Sequence, residues 1–290
     1  NADMKSLLFV PADSERKLAK AEGIAAGRLT IDLEDAVLPD RKPVGRQMVA
    51  EYVRGYRGPS ELWVRVNDLE SGEILKDLVA LSGLPIAGIM LPKIRGPEDL
   101  IRVSHYLDLL DAQRDGKAPL GILAVCTETP AAVLRMGELL HRPHPRLRGM
   151  LWGAEDLSAA LGAGTPRHAD GAWRDTYVYA RAQCLLACHA LEIEAIDTVY
   201  VDFRDAEGCR ANCQQARHDG FTGKVAIHPD QVAIINDAFT PSDDEVAHAR
   251  RVIAAFASGA GAVALDGKMI DIPHLKSARN TLRSAGLEGA

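Results

Sequence analysis

The chain has 290 residues, 47% hydrophobic and 26% charged, with a formal net charge of −6, a composition expected to fold as an ordinary globule. The negative balance removes any electrostatic reason to expect nucleic acid or an anionic membrane as a partner, and no run of about 18 apolar residues is present to cross a bilayer. The N-terminus lacks the basic-then-apolar layout of a signal peptide, so a cytoplasmic location is expected, and Asn1-Ala2 reads as a cloning scar.

Lys5-Ser-Leu-Leu-Phe-Val-Pro11 reads as an apolar strand, with Asp13-Ser14 placed to cap a helix running to about Ile24. A second strand, Arg28 to Asp35, ends in three acids, and helical spacing follows from Lys42 to Tyr52. Leu62 to Asn67 is a third strand with its helix at Gly72 to Leu81; Gly88 to Lys93 is a fourth, followed by a helix from Pro97 to Leu110. The fifth and sixth runs, Leu120 to Cys126 and Met150 to Trp152, are short and bounded by punctuating residues, as interior parallel strands are. A Gly- and Pro-rich insertion from Gly162 to Ala172 precedes a helix from Trp173 to Ala190. Ile196 to Asp202 is a seventh strand with its helix from Asp205 to His218, and Gly223 to Pro229 is an eighth.

Eight strand-then-helix units within about 240 residues match the arithmetic of a (β/α)8 TIM barrel, an α/β fold of typically about 250 residues. An open doubly wound sheet would put a glycine-rich phosphate turn after strand one, where this chain has Pro11-Ala-Asp. The barrel domain is therefore placed at 4–240. A C-terminal helical extension at 241–290 carries a helix from Asp243 to Phe256, a loop-like or extended segment from Gly259 to Asp271 and a closing helix from Pro273 to Leu282. The polar Asp-Gly-Lys inside that segment suggests docking on the barrel mouth or on a neighbouring subunit. The five cysteines are expected as reduced, packed thiols, since their spacing fits no zinc site.

In a parallel barrel the strand C-termini open onto one face, where functional residues gather. The candidates there are Phe9, Asp32, Glu34, Asp35, Arg65, Asn67, Lys93, Glu128, Glu155, Asp156, Asp202 and His228. Glu128 and Asp156, at adjacent strand ends with neither cysteine nor histidine beside them, form a hard oxygen pair suited to Mg2+. Helix N-capping is the alternative, and it accounts for Asp156 better than for Glu128. Glu155 reads as a supporting residue rather than a ligand. Arg65 lies between valines, on the strand face it shares with Trp63 and Asn67, and a buried arginine must be paired. Two readings stand: an ion pair with Glu34 or Asp35, or a fork gripping a substrate carboxylate. Lys93 is open to Schiff-base chemistry or to pairing with the acids of strand two, and nearby carboxylates would keep it charged.

These residues occur in a recognisable order: Ser6 to Pro11, Asp32 to Val37, Arg65-Val-Asn67, Leu91-Pro-Lys93, Glu128-Thr, Gly153 to Asp156, Ile227-His-Pro229 and Asp266 to Asp271. From about residue 5 to 285 the chain resembles the citrate lyase β-subunit-like (CitE-like) proteins of the HpcH/HpaI aldolase family, in the phosphoenolpyruvate/pyruvate barrel superfamily. The resemblance implies a Mg2+-dependent carbon–carbon lyase cleaving a 3-hydroxy-acyl thioester, of citramalyl-, malyl- or citryl-CoA type, to acetyl-CoA and a 2-oxo acid. It places the metal on Glu128 and Asp156, the substrate carboxylate on Arg65, and the CoA arm near Phe9, Arg16, Lys20, Ile227 and His228. The acid/base falls on Asp271, donated by an adjacent subunit, with a homotrimer as the expected assembly. One departure is Lys5, where relatives usually carry an arginine that stabilises substrate or orders the barrel base. Rival expectations are a malyl-CoA thioesterase, a CoA-independent 2-oxo-acid aldolase and a non-catalytic subunit of a lyase complex.

Overall fold

Eight apolar runs form strands because both of their faces are buried, one against the barrel axis and one against helices. In the computed structural model they are β1 (Ser6–Pro11), β2 (Arg28–Asp32), β3 (Glu61–Arg65), β4 (Gly88–Leu91), β5 (Gly121–Val125), β6 (Leu147–Leu151), β7 (Glu194–Asp197) and β8 (Gly223–Ala226). All neighbours pair parallel and β8 closes on β1, giving a (β/α)8 barrel. The described residues are 5–287 other than 115, 143 and 260, so Asn1-Ala2, residue 4 and residues 288–290 lie outside them. The helices that follow the strands are α1 (Glu15–Ala21), α2 (Lys42–Gly55), α3 (Ile74–Leu81), α4 (Pro97–Asp111), α5 (Pro130–Leu134), α6 (Glu155–Ala160), α7 (Asp175–Ala190), α8 (Ala206–Asp219) and α9 (Asp230–Phe239). Among the described residues no helix is long and apolar enough to cross a membrane.

The core has two layers. Leu7, Trp63, Met90, Leu123, Leu151, Ile196 and Val225 fill the barrel axis, while a larger cluster that includes Leu29, Ile31, Val64, Ile89 and Ile122 packs between strands and helices. Trp63 fits inside because two of its neighbours lack side chains. A Cβ on Gly88 would lie 2.4 Å from the indole ring, and one on Gly121 2.8 Å. All five cysteines are buried free thiols, as their spacing led us to expect.

Several boundaries differ from expectation; β2 and β8, for instance, stop at Asp32 and Ala226 rather than at Asp35 and Pro229. Strand seven stops at Asp197 rather than Asp202, because Asp197 turns outward into a buried network. Its carboxylate accepts from Trp152 Nε1 and Lys224 Nζ, both at 2.7 Å, and Lys224 also donates to Thr198 O. Helix α1 ends at Ala21 rather than Ile24. The segment before Asp271 is a β-hairpin, β9 (Ala262–Leu265) with β10 (Lys268–Asp271), turning through Asp266-Gly267. Both turn residues have positive φ, 51° and 75°, the backbone that makes Asp-Gly a hairpin signal.

The hairpin lies between α10 (Asp243–Ala255) and α11 (Ile272–Ser284) and shares with them a small core of Val252, Phe256, Ile270, Ala278 and Leu282. Polar contacts join this extension to the barrel. Arg217 on α8 donates to Glu245 at 2.7 Å, and Lys5 Nζ donates to Ser284 O at 2.9 Å and Phe239 O at 3.4 Å. Lys5, Arg28, Glu61 and Glu194 come before or at the starts of strands, so α11 is anchored at the end of the barrel opposite the strand C-termini, across a cavity of about 770 Å³. Lys5 therefore bears on the barrel base and the extension.

Glu245 also caps α10 reciprocally with Ser242. Its burial alone would raise its pKa, but the Ser242 N–H and the Arg217 guanidinium bring it down to about 2. With an unfolded value near 4.3, this carboxylate stabilises the fold above about pH 4.3, and that contribution is lost as pH falls toward about 2. Glu245→Gln should therefore lower stability at pH 7, by no more than about 1 kcal/mol given its exposure, with the deficit shrinking in acid. Urea unfolding at stepped pH checks this; a deficit independent of pH would refute it.

Candidate active site

Asp32 and Arg65 end β2 and β3 as direct register partners. The guanidinium turns its fork onto Asp32, Nε at 2.7 Å from Oδ1 and Nη2 at 2.6 Å from Oδ2, with Nη1 3.3 Å from Glu34 Oε2. The ring of Phe9 on β1 lies 4.6 Å from the guanidinium carbon. Burial would lower the Arg65 pKa, but Asp32, then Glu34 and Glu128, hold it above the ordinary arginine value, so it stays charged. The ion-pair reading of Arg65 thus holds with a different leading partner, since Asp32 takes the fork and Glu34 the remaining nitrogen. Nη1 is the corner that faces away from Asp32.

Lys93, just past β4, binds the acids that follow β2. Its ammonium contacts Glu34, lies 3.3 Å from Asp35 and reaches to 3.6 Å from Asp156 Oδ1. Burial would lower its pKa, but Glu34, Asp156 and Asp35 raise it, so the amine is protonated and a poor Schiff-base nucleophile.

Glu128 and Asp156 follow β5 and β6, whose ends are clasped together. Thr127 Oγ1 donates to Gly153 O at 2.9 Å and accepts from Gly153 N at 2.8 Å, which sets the two carboxyl groups side by side. Glu128 is 6% exposed, and its Oε2 accepts the Lys93 N–H at 2.6 Å. Burial first, then the charge of Asp156, push its pKa up to about 8. Two crowded carboxyl groups in an oxygen-only setting fit a hard divalent cation, which would offset the repulsion that holds a proton on Glu128. Among the described residues no group of three or more His, Cys, Asp or Glu forms a metal shell. A carboxylate pair is nevertheless what Mg2+ ordinarily takes from a protein, its other positions going to water and substrate oxygens.

Phe9, Arg16, Lys20, Ile227 and His228 come together with Asp32 and Arg65 around one cavity of about 440 Å³. It runs from the charged cup to a cationic rim on α1. The His228 ring stacks on Phe203, with centroids 4.7 Å apart and planes 13° apart. Three residues expected at the strand ends are not in the cup, and Asp271, expected from a neighbouring subunit, lies apart from it. Asn67 lies beyond the end of β3, where strand alternation no longer applies, and its amide is buried against Asp77 and Leu33 O. Glu155 faces solvent at the start of α6, and Asp202 is exposed in the turn after β7. Asp271 sits on the extension, its carboxylate 2.6 Å from His274 Nδ1. Sequence reasoning missed the Thr127 clasp and Phe203; a threonine directly before a ligand and an aromatic beside an exposed turn were the available signals.

Comparison with known proteins gives the same picture over nearly the whole chain. A family profile described as HpcH/HpaI aldolase/citrate lyase matches residues 5–229. A (3S)-malyl-CoA thioesterase of Cereibacter sphaeroides is 36% identical over 97% of this chain and 94% of its own. A mitochondrial citramalyl-CoA lyase of Rattus norvegicus is 31% identical over 97% of this chain and 86% of its own. The crystal structure of CitE from Mycobacterium tuberculosis in complex with magnesium, acetoacetate and coenzyme A superposes with a TM-score of 0.81, at 35% identity over 98% of this chain and 99% of that one. Ordered motifs, a closed barrel and full-length relatives agree: the chain belongs to the HpcH/HpaI aldolase/citrate lyase family.

Proposed function

We propose that the protein is a Mg2+-dependent carbon–carbon lyase that cleaves a 3-hydroxy-acyl-CoA thioester, of citramalyl, malyl or citryl type, into acetyl-CoA and a 2-oxo acid. The observation that carries this reading is one cavity joining two kinds of chemistry. At its inner end lie Arg65 and Asp32, with Glu128 close enough for its charge to act on Arg65 and Asp156 beside Glu128; at its outer end lie Arg16 and Lys20, suited to the phosphates of a CoA arm. Relatives named for activities on CoA thioesters, and a structural neighbour holding magnesium, acetoacetate and coenzyme A, support it.

Glu128 and Asp156 would hold the cation, which when bound supplies Lewis acidity at the substrate hydroxyl and its adjacent carboxylate. Arg65 stays charged and, through Nη1, holds that carboxylate and stabilises the negative charge that develops on oxygen. As the carbon–carbon bond breaks, the hydroxyl gives up its proton to water, its carbon becomes the carbonyl of the 2-oxo acid, and the bonding pair passes to the carbon next to the thioester. Asp271 delivers the proton that turns this enolate into acetyl-CoA. It does so from a neighbouring subunit, in a cytoplasmic homotrimer. Two facts favour this: α11 is anchored at the strand-start end of its own barrel, and exposed apolar Met269 and Ile272 flank Asp271.

A second reading is a malyl-CoA thioesterase, favoured by the relative of that name. The same carboxylates and Asp271 would then direct water to the thioester carbonyl. Incubation with Mg2+ and each of citramalyl-, malyl- and citryl-CoA separates the two, the lyase releasing a 2-oxo acid with acetyl-CoA and the thioesterase releasing the intact hydroxy acid with free CoA. We expect 2-oxo acid from at least one substrate; turnover of the free acids without CoA would point to an aldolase instead, and no turnover of any would sink the catalytic reading.

Asp156→Ala should abolish Mg2+ binding and lower kcat by about 10²-fold or more while leaving the thermal transition almost in place. Mg2+ affinity equal to wild type by calorimetry would remove the site assignment. Asp271→Ala and Arg65→Ala should each be inactive alone yet regain part of the activity in mixed oligomers. No recovery in verified mixtures would place the acid/base within its own chain.

A further inference from the structure

Lys93 is a bulky residue held in a conformation that favours glycine. Its φ is 52°, in the left-handed region where a Cβ crowds the backbone, and it is one of three non-glycine residues with positive φ among those described. The other two, Glu192 and Asp266, sit in turns outside the barrel's own strand ends. At Lys93 the main-chain N–H points at Glu128 Oε2, 2.6 Å away. Its ammonium meanwhile contacts Glu34, and lies 3.3 Å from Asp35 and 3.6 Å from Asp156. The backbone and side chain of one residue therefore hold both members of the carboxylate pair, from two directions.

Unfavourable backbone conformations persist where the surroundings over-determine them, and they cluster at functional sites. Here the anchors are identifiable. Glu34 is buried and is shared between Lys93 and Arg65, so the ammonium is tied to the same acids that orient the guanidinium. Release of the ammonium would let the peptide at Lys93 relax toward negative φ and turn its N–H away from Glu128.

We propose that Lys93 is a positioning residue for the divalent-cation site: its ion pairs to Glu34 and Asp35 lock the left-handed backbone that aims its amide at Glu128, while its ammonium fixes Asp156. The inference rests on the assignment of Glu128 and Asp156 as the cation's ligands. It adds that Glu34 and Asp35, the acids after β2, act on the site through Lys93, Glu34 also by its own charge. Neighbours that orient metal ligands typically account for about 10–100-fold in metal affinity or activity. The opposite outcome is physically reasonable, because a fixed positive charge beside Asp156 also repels a cation, and this makes the test decisive.

Mn2+ serves as the probe, its binding read by electron paramagnetic resonance without any substrate. Lys93→Ala removes the anchor and keeps the backbone penalty, and it should weaken Mn2+ binding by about tenfold or more. Lys93→Gly adopts positive φ freely but has lost the ammonium, and it should fall between alanine and wild type. Lys93→Arg restores charge and ion pairs, and it should return close to wild type. In turnover, Lys93→Ala should lower kcat with little change in KM for the thioester, because Lys93 does not line the CoA cavity. A thermal melt of each variant identifies simple unfolding, and the arginine variant keeps the comparison valid if alanine unfolds. Tighter Mn2+ binding in the alanine and glycine variants would mean that repulsion dominates and would overturn the proposal, as would unchanged binding in all three. Wild-type protein that binds no Mn2+ would remove the cation site and this inference with it. Failure of every thioester assay alongside the expected Mn2+ series would instead overturn the lyase reading and leave Lys93 in its role.

Discussion

The pairing of Arg65 with Asp32 and Glu34 is the contact on which the rest of the barrel mouth depends. A closed parallel barrel delivers the ends of all its strands to one face, and in this chain the ends of β2 to β6 bring charge to it. A charge left unpaired there, at the edge of a packed core, costs several kcal/mol. The solution is a chain of opposite charges running around the mouth, from Asp32 to Arg65, Glu34, Lys93 and Asp156, with Glu128 completing the arc through the Lys93 amide. Glu34 is its middle link. Its pKa is raised by burial and lowered by Arg65 and Lys93, with burial prevailing. A carboxyl group almost wholly shielded from water is thus the one shared by both cations.

The chain of charges has an electrostatic direction. Positive charge is concentrated on the β3 and β4 side, where Arg65 and Lys93 stand, and the crowding of carboxyl groups falls on the β5 and β6 side. The barrel therefore separates a place for an anionic substrate group from a place for a cation, only a few residues apart around the rim. Phe9 covers the arginine from the axis and forms the wall between this polar rim and the apolar interior filled by Trp63 and Met90.

Much of this was legible in the chain alone. Strand periodicity fixed the eight units and their order, and a carboxylate directly after an apolar run marked Glu128 and Asp156 before any geometry was known. Two kinds of feature were not legible. The first was any position just past a strand end, because alternation stops where the hydrogen-bond ladder stops: Asn67 and Asp202 were counted into the cup for that reason, and both lie outside it. The second was the choice among partners. Several acids follow β2, and only the register of β2 with β3 decides that Asp32 meets the Arg65 fork while Asp35 stays near solvent. The Asp266-Gly267 pair is a hairpin signal, but its flanking runs are short, so the sequence alone supports only a loop-like or extended segment there.

The extension has its own small apolar core and meets the barrel at a few polar links, among them Arg217 with Glu245 and Lys5 with Ser284. Units of that kind open locally at a lower free energy than the body they attach to. A molecule in that half-open form would keep its barrel and its carboxylate pair and still bind a cation, yet it would present Asp271 to no one. Catalytic competence and folded mass would then part company, and a preparation that looks native by its helix content and metal binding could hold a sizeable silent fraction.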